Sequence, residues 1–380
     1  MALLALDSQQ GLLQAAHLEP FRIWFYAFLI GAFPCIQIFR APFLGKKIDG
    51  SIKKSSLQAI HIANLSGYAC FGLAVWEQNL WLAMLAPLIS ALTGSIVPLA
   101  KTLLIEATPL ESRTQVLAKA ALIKGGSTFI GPLIGICLTM ALPQLYYIGP
   151  FLFAALLSFS ALILTSWGGF QTSVAKKTTA IPMKSTLNFI FRQHFAHAAH
   201  YFLIFLTYCI FVKFAPVTLS RHFENDALWI NYFFAVLGGA LVLNQLFILY
   251  VGKLAKRLLS LAFLPLFGTV LFFTHSHIPF LSLSLLFLAL LLFSFLMLNA
   301  EACLSLKSLS GAQGATQGVL FSLENLSYFS APLIGALLTT YDHLYPMYFV
   351  LFSIIIAYIL LQRTKADNSS DAPVLAKATS

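Results

Sequence analysis

Long apolar runs separated by short polar links dominate this chain. We predict eleven membrane-spanning segments: Ile23–Leu44, Leu57–Val75, Leu80–Ile105, Thr114–Leu142, Tyr146–Trp167, Ala198–Leu219, Leu228–Val251, Leu258–Phe273, Phe280–Ser305, Gln313–Thr340 and Pro346–Leu361. Most come close to the ~20 residues that a helix needs to cross a ~30 Å hydrocarbon layer. The pattern predicts an all-α, polytopic membrane protein.

The polar links differ in charge from one side of the predicted membrane to the other. Alternate links are basic, beginning with the loop Gly45–Lys54 and including a similar stretch, Gly252–Arg257, about 207 residues later. The links between them carry mainly acids, namely Glu77, Glu224, Asp226 and Asp342. Because Lys and Arg in short links stay in the cytoplasm, we predict a cytoplasmic C-terminus and, with eleven spans, an external N-terminus.

The spans fall into two groups around one longer polar link. Residues 1–167 form a predicted N-terminal bundle of five spans, and residues 198–361 form a C-terminal bundle of six. Residues 168–197 are the predicted cytoplasmic linker, and residues 362–380 a disordered cytoplasmic tail.

Composition supports a membrane protein and excludes several other classes. Hydrophobic residues make up 59% of the 380 positions and charged residues 9%, against roughly 25% charged in soluble domains. The net charge of +10 comes from the inter-helix links, so it indicates topology rather than nucleic-acid binding. The five cysteines lie inside apolar runs without paired spacing, which argues against a disulfide framework.

Motifs for catalysis or cofactor binding are lacking in the sequence. There is no phosphate-binding glycine loop, nucleophile elbow or ATP-hydrolysis motif, so we expect no enzyme activity and no cofactor. His194, His197 and His200 have helical spacing but no nearby acid or thiol, and we expect no metal site there.

A short motif occurs twice, 200 residues apart. Phe129-Ile-Gly-Pro-Leu-Ile-Gly135 matches Phe329-Ser-Ala-Pro-Leu-Ile-Gly335. Small residues and proline in a membrane helix permit close packing and a bend, which marks Gly131, Pro132, Gly135, Pro332 and Gly335 as a helix-bend motif. With the two basic stretches, this repeat indicates two pseudo-symmetric bundles, an arrangement found in the major facilitator superfamily.

The sequence resembles that superfamily, and within it the drug:proton antiporters of the tetracycline-efflux type. Gly45, Asp49, Lys53 and Lys54 match the family's cytoplasmic signature, Gly-x-Leu-Ala-Asp-Arg-x-Gly-Arg-Arg. The resemblance implies that Asp49 helps to hold the cytoplasmic side closed. It also implies twelve helices, the first of which we expect to be missing here through truncation or a misassigned start.

Two positions depart from the family pattern. Pro87 stands where the fourth helix of the family usually carries an arginine associated with proton coupling, and Lys256 stands at the acid position of the second basic stretch.

Charges inside spans are costly, about 2.5–3.5 kcal/mol on insertion scales, and mark functional sites. Lys124 is one such charge, and the repeat offset maps it onto Glu324 and maps Lys101 onto Glu301. We predict that these four residues act in gating or coupling, with Lys101 and Glu301 meeting across the two bundles. Alternatively, each charge faces water or pairs locally.

The expected function is secondary active transport of a small solute by alternating access, with export as the expected direction, in the cell membrane (the inner membrane of a bacterium). The expected partners are a small-molecule substrate, a coupling proton or cation and the lipid bilayer. A metabolite or nutrient importer and a non-transporting receptor or scaffold are the alternatives.

Overall fold

The computed structural model describes residues 22–50, 53–92, 148–167, 194–223, 235–244, 260–306 and 313–378, together with scattered residues between 96 and 138 and at 233 and 246. Side chains are described for most of these residues, but not for 41–50 or beyond 363.

The described residues are helical almost throughout. The helices, in chain order, are α1 (Arg22–Gly50), α2 (Lys53–Trp76), α3 (Leu80–Ala91), α4 (Gly149–Trp167), α5 (Phe195–His222), α6 (Ala235–Asn244), α7 (Phe263–His275), α8 (Pro279–Leu306), α9 (Gln313–Thr339) and α10 (Tyr345–Ala378). Each of the eleven predicted spans contains helical residues, and the predicted all-α class is confirmed.

Three helix ends differ from the sequence expectation. α1 continues through the basic stretch to Gly50, so most of what we predicted as a loop is helix. α3 ends at Ala91, within the predicted span Leu80–Ile105. α10 runs to Ala378, through the tail for which the sequence predicts disorder. A nucleated helix adds one hydrogen bond for each residue it fixes, so an anchored span can extend into polar residues.

The turn between α2 and α3 shows how local sequence fixes a helix start. Gln78 adopts a positive φ of 49°, which reverses the chain after Trp76. Asn79 is the N-cap of α3: its Oδ1 accepts hydrogen bonds from the backbone N–H groups of Trp81 (3.0 Å) and Leu82 (3.2 Å). These bonds satisfy donors that have no partner within the helix, which fixes the start of α3.

The C-terminal bundle has a continuous core. Buried side chains of α5, α6, α7, α8, α9 and α10 form one hydrophobic cluster, in which Phe211 contacts both Phe273 and Phe293 at ring-centroid distances of 5.6 and 5.4 Å. In the described part of the N-terminal bundle, α2 packs on α3 and α4, with Phe71 stacked on Phe151 at 5.1 Å.

The two bundles meet along a seam between α1 and α9, the most extensive helix pair among the described residues. Ser322 Oγ of α9 donates a hydrogen bond to the carbonyl of Ile38 in α1 at 3.0 Å. Gly31 of α1 lies against Phe329 and Pro332 of α9, where an added Cβ would stand 3.6 and 3.7 Å from the nearest side-chain atoms. These distances are ordinary van der Waals contacts.

Several helices are long and apolar enough to cross a membrane. Within the described residues there are five, judged by length and composition: Lys54–Trp76, Gly149–Trp167, Phe195–Leu219, Pro279–Glu301 and Tyr345–Arg363. Large apolar side chains on the outer surface, such as Trp167 at 85% exposure and Phe280 at 84%, suit a lipid environment better than water. The chain is a multi-pass membrane protein.

Candidate functional site

Polar side chains lie inside the C-terminal bundle, where three helices approach one another. α5 contributes Tyr201 and Lys213, α8 contributes Glu301, and α9 contributes Glu324 and Tyr328; we call these five residues the polar cluster. Polar groups inside a membrane helix cost free energy, and the presence of five of them in one region indicates a functional site.

Of the two carboxyl groups in the polar cluster, that of Glu324 is the more deeply buried. Its side chain is 4% exposed, and its Oε1 accepts a hydrogen bond from the hydroxyl of Tyr201 at 2.7 Å. Tyr201 is itself fully buried and packs its ring 4.7 Å from that of Phe205. A short O–H···O bond of this kind stabilises a carboxylate where water is excluded.

Glu301 approaches the same tyrosine from α8. Its carboxyl lies close enough to Tyr201 to interact with it electrostatically, and its side chain is half-buried. Two acids from different helices therefore both act on Tyr201, Glu324 through a hydrogen bond and Glu301 electrostatically.

Lys213 lies further along α5 and binds the backbone of α9. Its Nζ donates a hydrogen bond to the carbonyl of Tyr328 at 2.8 Å and stands 5.5 Å from the centroid of the Tyr328 ring. Tyr328 is one helical turn after Glu324. Glu324 and the residue that Lys213 contacts are therefore neighbours on α9.

A second group of polar residues lies at the other end of α5. His222, His275, His277 and His343 form a histidine cluster that joins the end of α5 to the α7–α8 and α9–α10 turns. The ring of His222 lies 4.9 Å from that of His277 and 6.2 Å from that of His343. Burial, together with the neighbouring histidines, lowers the pKa of His222, while a hydrogen bond to the Ser276 backbone raises it in part.

Neither histidine group forms a metal centre in the described structure. Among the described residues, no set of three or more His, Cys, Asp and Glu side chains is arranged to hold a metal ion. Of the three spaced histidines noted in the sequence, His194 and His197 pack edge to face, whereas His200 is buried with Nδ1 3.0 Å from the Ala357 carbonyl.

Only some of the predicted site residues fall within the described structure. Glu301 and Glu324 do, and both belong to the polar cluster. Lys101, Lys124 and Pro132 lie outside the described residues; Asp49 lies in the last turn of α1, but its side chain is outside them. For Glu324, the contact with Tyr201 corresponds to the alternative of local pairing. The predicted Lys101–Glu301 contact stays a prediction.

The helix-bend motif has different surroundings in the two bundles. A Cβ added at Gly335 would overlap the ring of Phe214, because α5 and α9 approach closely there. Pro332, one turn earlier, lies in the seam against Gly31. At Gly131 and Gly135 an added Cβ would meet no heavy atom of the described residues within 4 Å. Gly335 thus lies at a close approach of α5 and α9, and the helix-bend role of the motif stays a prediction.

A cavity of about 360 Å³ opens in the seam between α1 and α9. It is apolar, and its walls include Trp24, Phe28, Gly31, Phe329 and Leu333. Small residues on α1, among them Gly31 and Ala32, leave this space unfilled. The two bundles are thus less tightly packed against each other here than α5 and α9 are within the C-terminal bundle.

Sequence reasoning missed Lys213 and Tyr201. Lys213 lies within the predicted span Ala198–Leu219. A charge inside a span marks a functional site, and this rule, which selected Lys124, would have selected Lys213 as well. Tyr201 could not have been found this way, since tyrosine is common in membrane helices and its role depends on the position of Glu324 in space.

Comparisons with known proteins agree with this architecture. The structure superimposes on a bacterial homologue of the iron transporter ferroportin with a TM-score of 0.67, at 19% identity, covering 96% of this chain and 97% of that one. It superimposes on the major facilitator superfamily transporter FucP with a TM-score of 0.65, at 14% identity, covering 89% of each chain. The protein has the major facilitator fold, and the predicted fold class is confirmed.

Sequence similarity narrows the class further. The chain is 25% identical over 328 residues to the class D tetracycline resistance protein of Salmonella ordonez, covering 82% of this chain and 79% of the relative. No protein-family model matches the chain. The predicted resemblance to major facilitator transporters of the tetracycline-efflux type is confirmed, as is the predicted secondary transport of a small solute.

Proposed function

We propose that this protein exports a small organic solute in exchange for protons, and that Glu324 is the group that takes up and releases the coupling proton. The burial of Glu324 against the Tyr201 hydroxyl supports this proposal most directly. In proton-coupled membrane proteins, carboxyls inside the bundle are the usual proton carriers.

The geometry suits a group that alternates between two protonation states. When Glu324 is ionised, Tyr201 donates a hydrogen bond to it and stabilises the charge without water. Binding of a proton removes that charge, which lowers the cost of enclosing the site when the bundle closes around it.

Movement of one bundle against the other would accompany this cycle. The seam between α1 and α9 is the described contact between the bundles, and its apolar lining and cavity offer few directional bonds that would resist a shift. Alternating access in such folds is largely a rigid-body rocking of two repeats. We infer that the seam changes during transport while α5 and α9 move together.

Three further roles belong to this proposal and follow from the sequence and the resemblance. Lys101 and Glu301 form a contact between the bundles in one state and separate in the other. Lys124 helps to balance the acidic residues of the C-terminal bundle, among them its repeat counterpart Glu324. Asp49 holds the cytoplasmic side closed. The swap Lys101→Glu with Glu301→Lys should therefore recover part of the transport that either single change removes.

The proposed orientation has the C-terminus and Lys53 in the cytoplasm and Glu224 outside. Single cysteines at positions 53 and 224, in a background without native cysteines, test it with a membrane-impermeant thiol reagent on intact cells. We expect labelling at position 224 only. Labelling at position 53 but not at 224 would reverse the orientation and, with it, the direction of transport assigned here.

Export itself is tested in everted bacterial membrane vesicles. Respiration acidifies the vesicle interior, and an exporter then moves an added solute inward while it releases protons. We expect at least one solute from a panel that starts with tetracycline to raise the quenched fluorescence of a pH-sensitive dye. Vesicles lacking the protein are the control. If no solute releases protons, the proposal of proton-driven export is wrong.

A further inference from the structure

Lys213 carries an ammonium group inside the membrane, and the proton-coupling role of Glu324 does not account for this charge. It lies roughly 27 Å from the Phe195 end of α5 and roughly 14 Å from the His222 end, at ~1.5 Å per residue. That places its ammonium within the hydrocarbon thickness, where a charge is costly and needs compensation.

The compensation that the structure supplies is incomplete. The ammonium has three N–H donors, and the Tyr328 carbonyl accepts one of them. The Tyr328 ring adds a cation–π contact. Within the described residues, no carboxylate forms an ion pair with Lys213. The Lys213 ammonium thus faces the dipole of the Tyr328 carbonyl and the face of the Tyr328 ring, where a full negative charge would be expected.

Part of the Lys213 side chain remains exposed. Its surroundings suit an anion with a flat or apolar body. The Tyr328 ring lies 5.5 Å from the ammonium and is itself only partly buried. This ring would contact the body of a ligand while the ammonium binds its charge.

We propose that Lys213 binds the anionic group of the transported solute, so that the substrates of this protein carry a carboxylate or a sulfonate. This inference rests on the proposed function, since it assigns the substrate class of the same transporter. Glu324 of α9 and Lys213 of α5 then have separate tasks: the acid carries the proton, and the lysine selects the solute by charge.

Binding to purified protein tests this without any proton gradient. Salicylate, benzenesulfonate and succinate are added to the protein in lipid nanodiscs, and the apparent Kd is taken from the rise in melting temperature. Salicylamide serves as the uncharged match for salicylate. Chloride and fluoride buffers, neither of which contains an organic anion, distinguish an organic anion from chloride as the occupant. We expect stabilisation by at least one organic anion, and none by salicylamide or chloride.

The variant Lys213→Met removes the charge and keeps the length of the side chain. We expect it to weaken anion binding by about tenfold or more, with Lys213→Arg retaining most of the binding. Lys54→Met is the matched control: Lys54 also donates to a backbone carbonyl, that of Ser166 at 2.8 Å, but at the end of a helix. Its binding should stay within about twofold of the unmodified protein.

The inference fails if no organic anion stabilises the unmodified protein, if salicylamide binds as tightly as salicylate, if chloride alone accounts for the effect, or if Lys213→Met binds normally. The ligand comparison needs only the unmodified protein, so it decides the matter even if Lys213→Met does not fold. Because binding is measured without transport, anion binding without proton exchange would contradict the proposed export mechanism alone.

Discussion

α9 packs most extensively against α1 and α5, and the two faces that it presents to them differ in construction. Toward α5 it carries Glu324, Tyr328 and Gly335, which form buried hydrogen bonds and a close helix approach. Toward α1 it offers Ser322 and Phe329 beside an apolar cavity of about 360 Å³. One face is polar and close-packed, whereas the other is mainly apolar and loosely filled.

This difference indicates which contact can change during transport. Moving α9 away from α5 would break buried hydrogen bonds and leave polar groups unpaired, at about 1–3 kcal/mol for each group. Moving it along α1 would exchange one apolar contact for another, with a single described side-chain hydrogen bond between the two helices. The α5 face therefore holds the C-terminal bundle together, and the α1 face can act as the moving contact.

The largest effect that we expect comes from Glu324→Gln on the α5 face. The amide can still accept the Tyr201 hydrogen bond but cannot take up a proton, so solute-driven proton release should fall to background. Ser322→Ala, on the α1 face of the same helix, is the control and should keep most of the activity. Proton release is followed by dye fluorescence in everted vesicles. Normal proton release by Glu324→Gln would remove this residue from the coupling mechanism.

A pair of glycines compares the packing of the two faces directly. In Gly335→Ala the new Cβ overlaps Phe214, so we expect a loss of about 1–3 kcal/mol in stability. In Gly31→Ala the new Cβ meets α9 at ordinary contact distances, so the change should be under about 1 kcal/mol and can be favourable. Thermal unfolding in detergent measures both variants. Equal destabilisation would show that the seam is as tightly packed as the α5 face.

Much of the fold could be predicted because the length of each apolar run and the charge of each link can be read directly from the order of residues. The eleven apolar runs and the repeat around Gly135 and Gly335 are visible in the residues themselves. Helix ends were less certain: no apolar signal marks where α1 or α10 ends, and both helices continue into polar residues.

The site could be predicted only in part. Glu301 and Glu324 stood out because an acid inside an apolar run is costly, whatever its neighbours. Their convergence on Tyr201 depends on how α5, α8 and α9 pack, which no spacing rule supplies. The repeat offset related these acids to lysines of the other half, whereas the described partner of Glu324 comes from its own bundle.

The smallest effect that we expect concerns the histidine cluster, at an end of the molecule away from both faces. The pKa of His222 is lowered in the folded protein by burial and by His277 and His343. As the pH falls through about 6.5, the unfolded chain takes up a proton first, so folded stability falls.

We therefore expect a lower melting temperature at about pH 5.5 than at about pH 7.5, and a smaller difference in His222→Gln. His194→Gln, at the opposite end of α5, is the control and should behave like the unmodified protein. If His222→Gln retains the full pH dependence of the melting temperature, protonation of His222 is not its cause.

Disulfide cross-linking of the two faces of α9 tests the central claim most directly. Ile38→Cys with Ser322→Cys joins α9 to α1, and Phe202→Cys with Ser327→Cys joins it to α5; in each native pair the serine Oγ lies 3.0–3.1 Å from the partner's carbonyl oxygen. The background lacks the native cysteines, and mass spectrometry confirms each bond. The account predicts that the α1–α9 disulfide reduces solute-driven proton release by about tenfold, reversibly with reductant, whereas the α5–α9 disulfide leaves it within about twofold. Full activity with α1 and α9 joined would contradict the account.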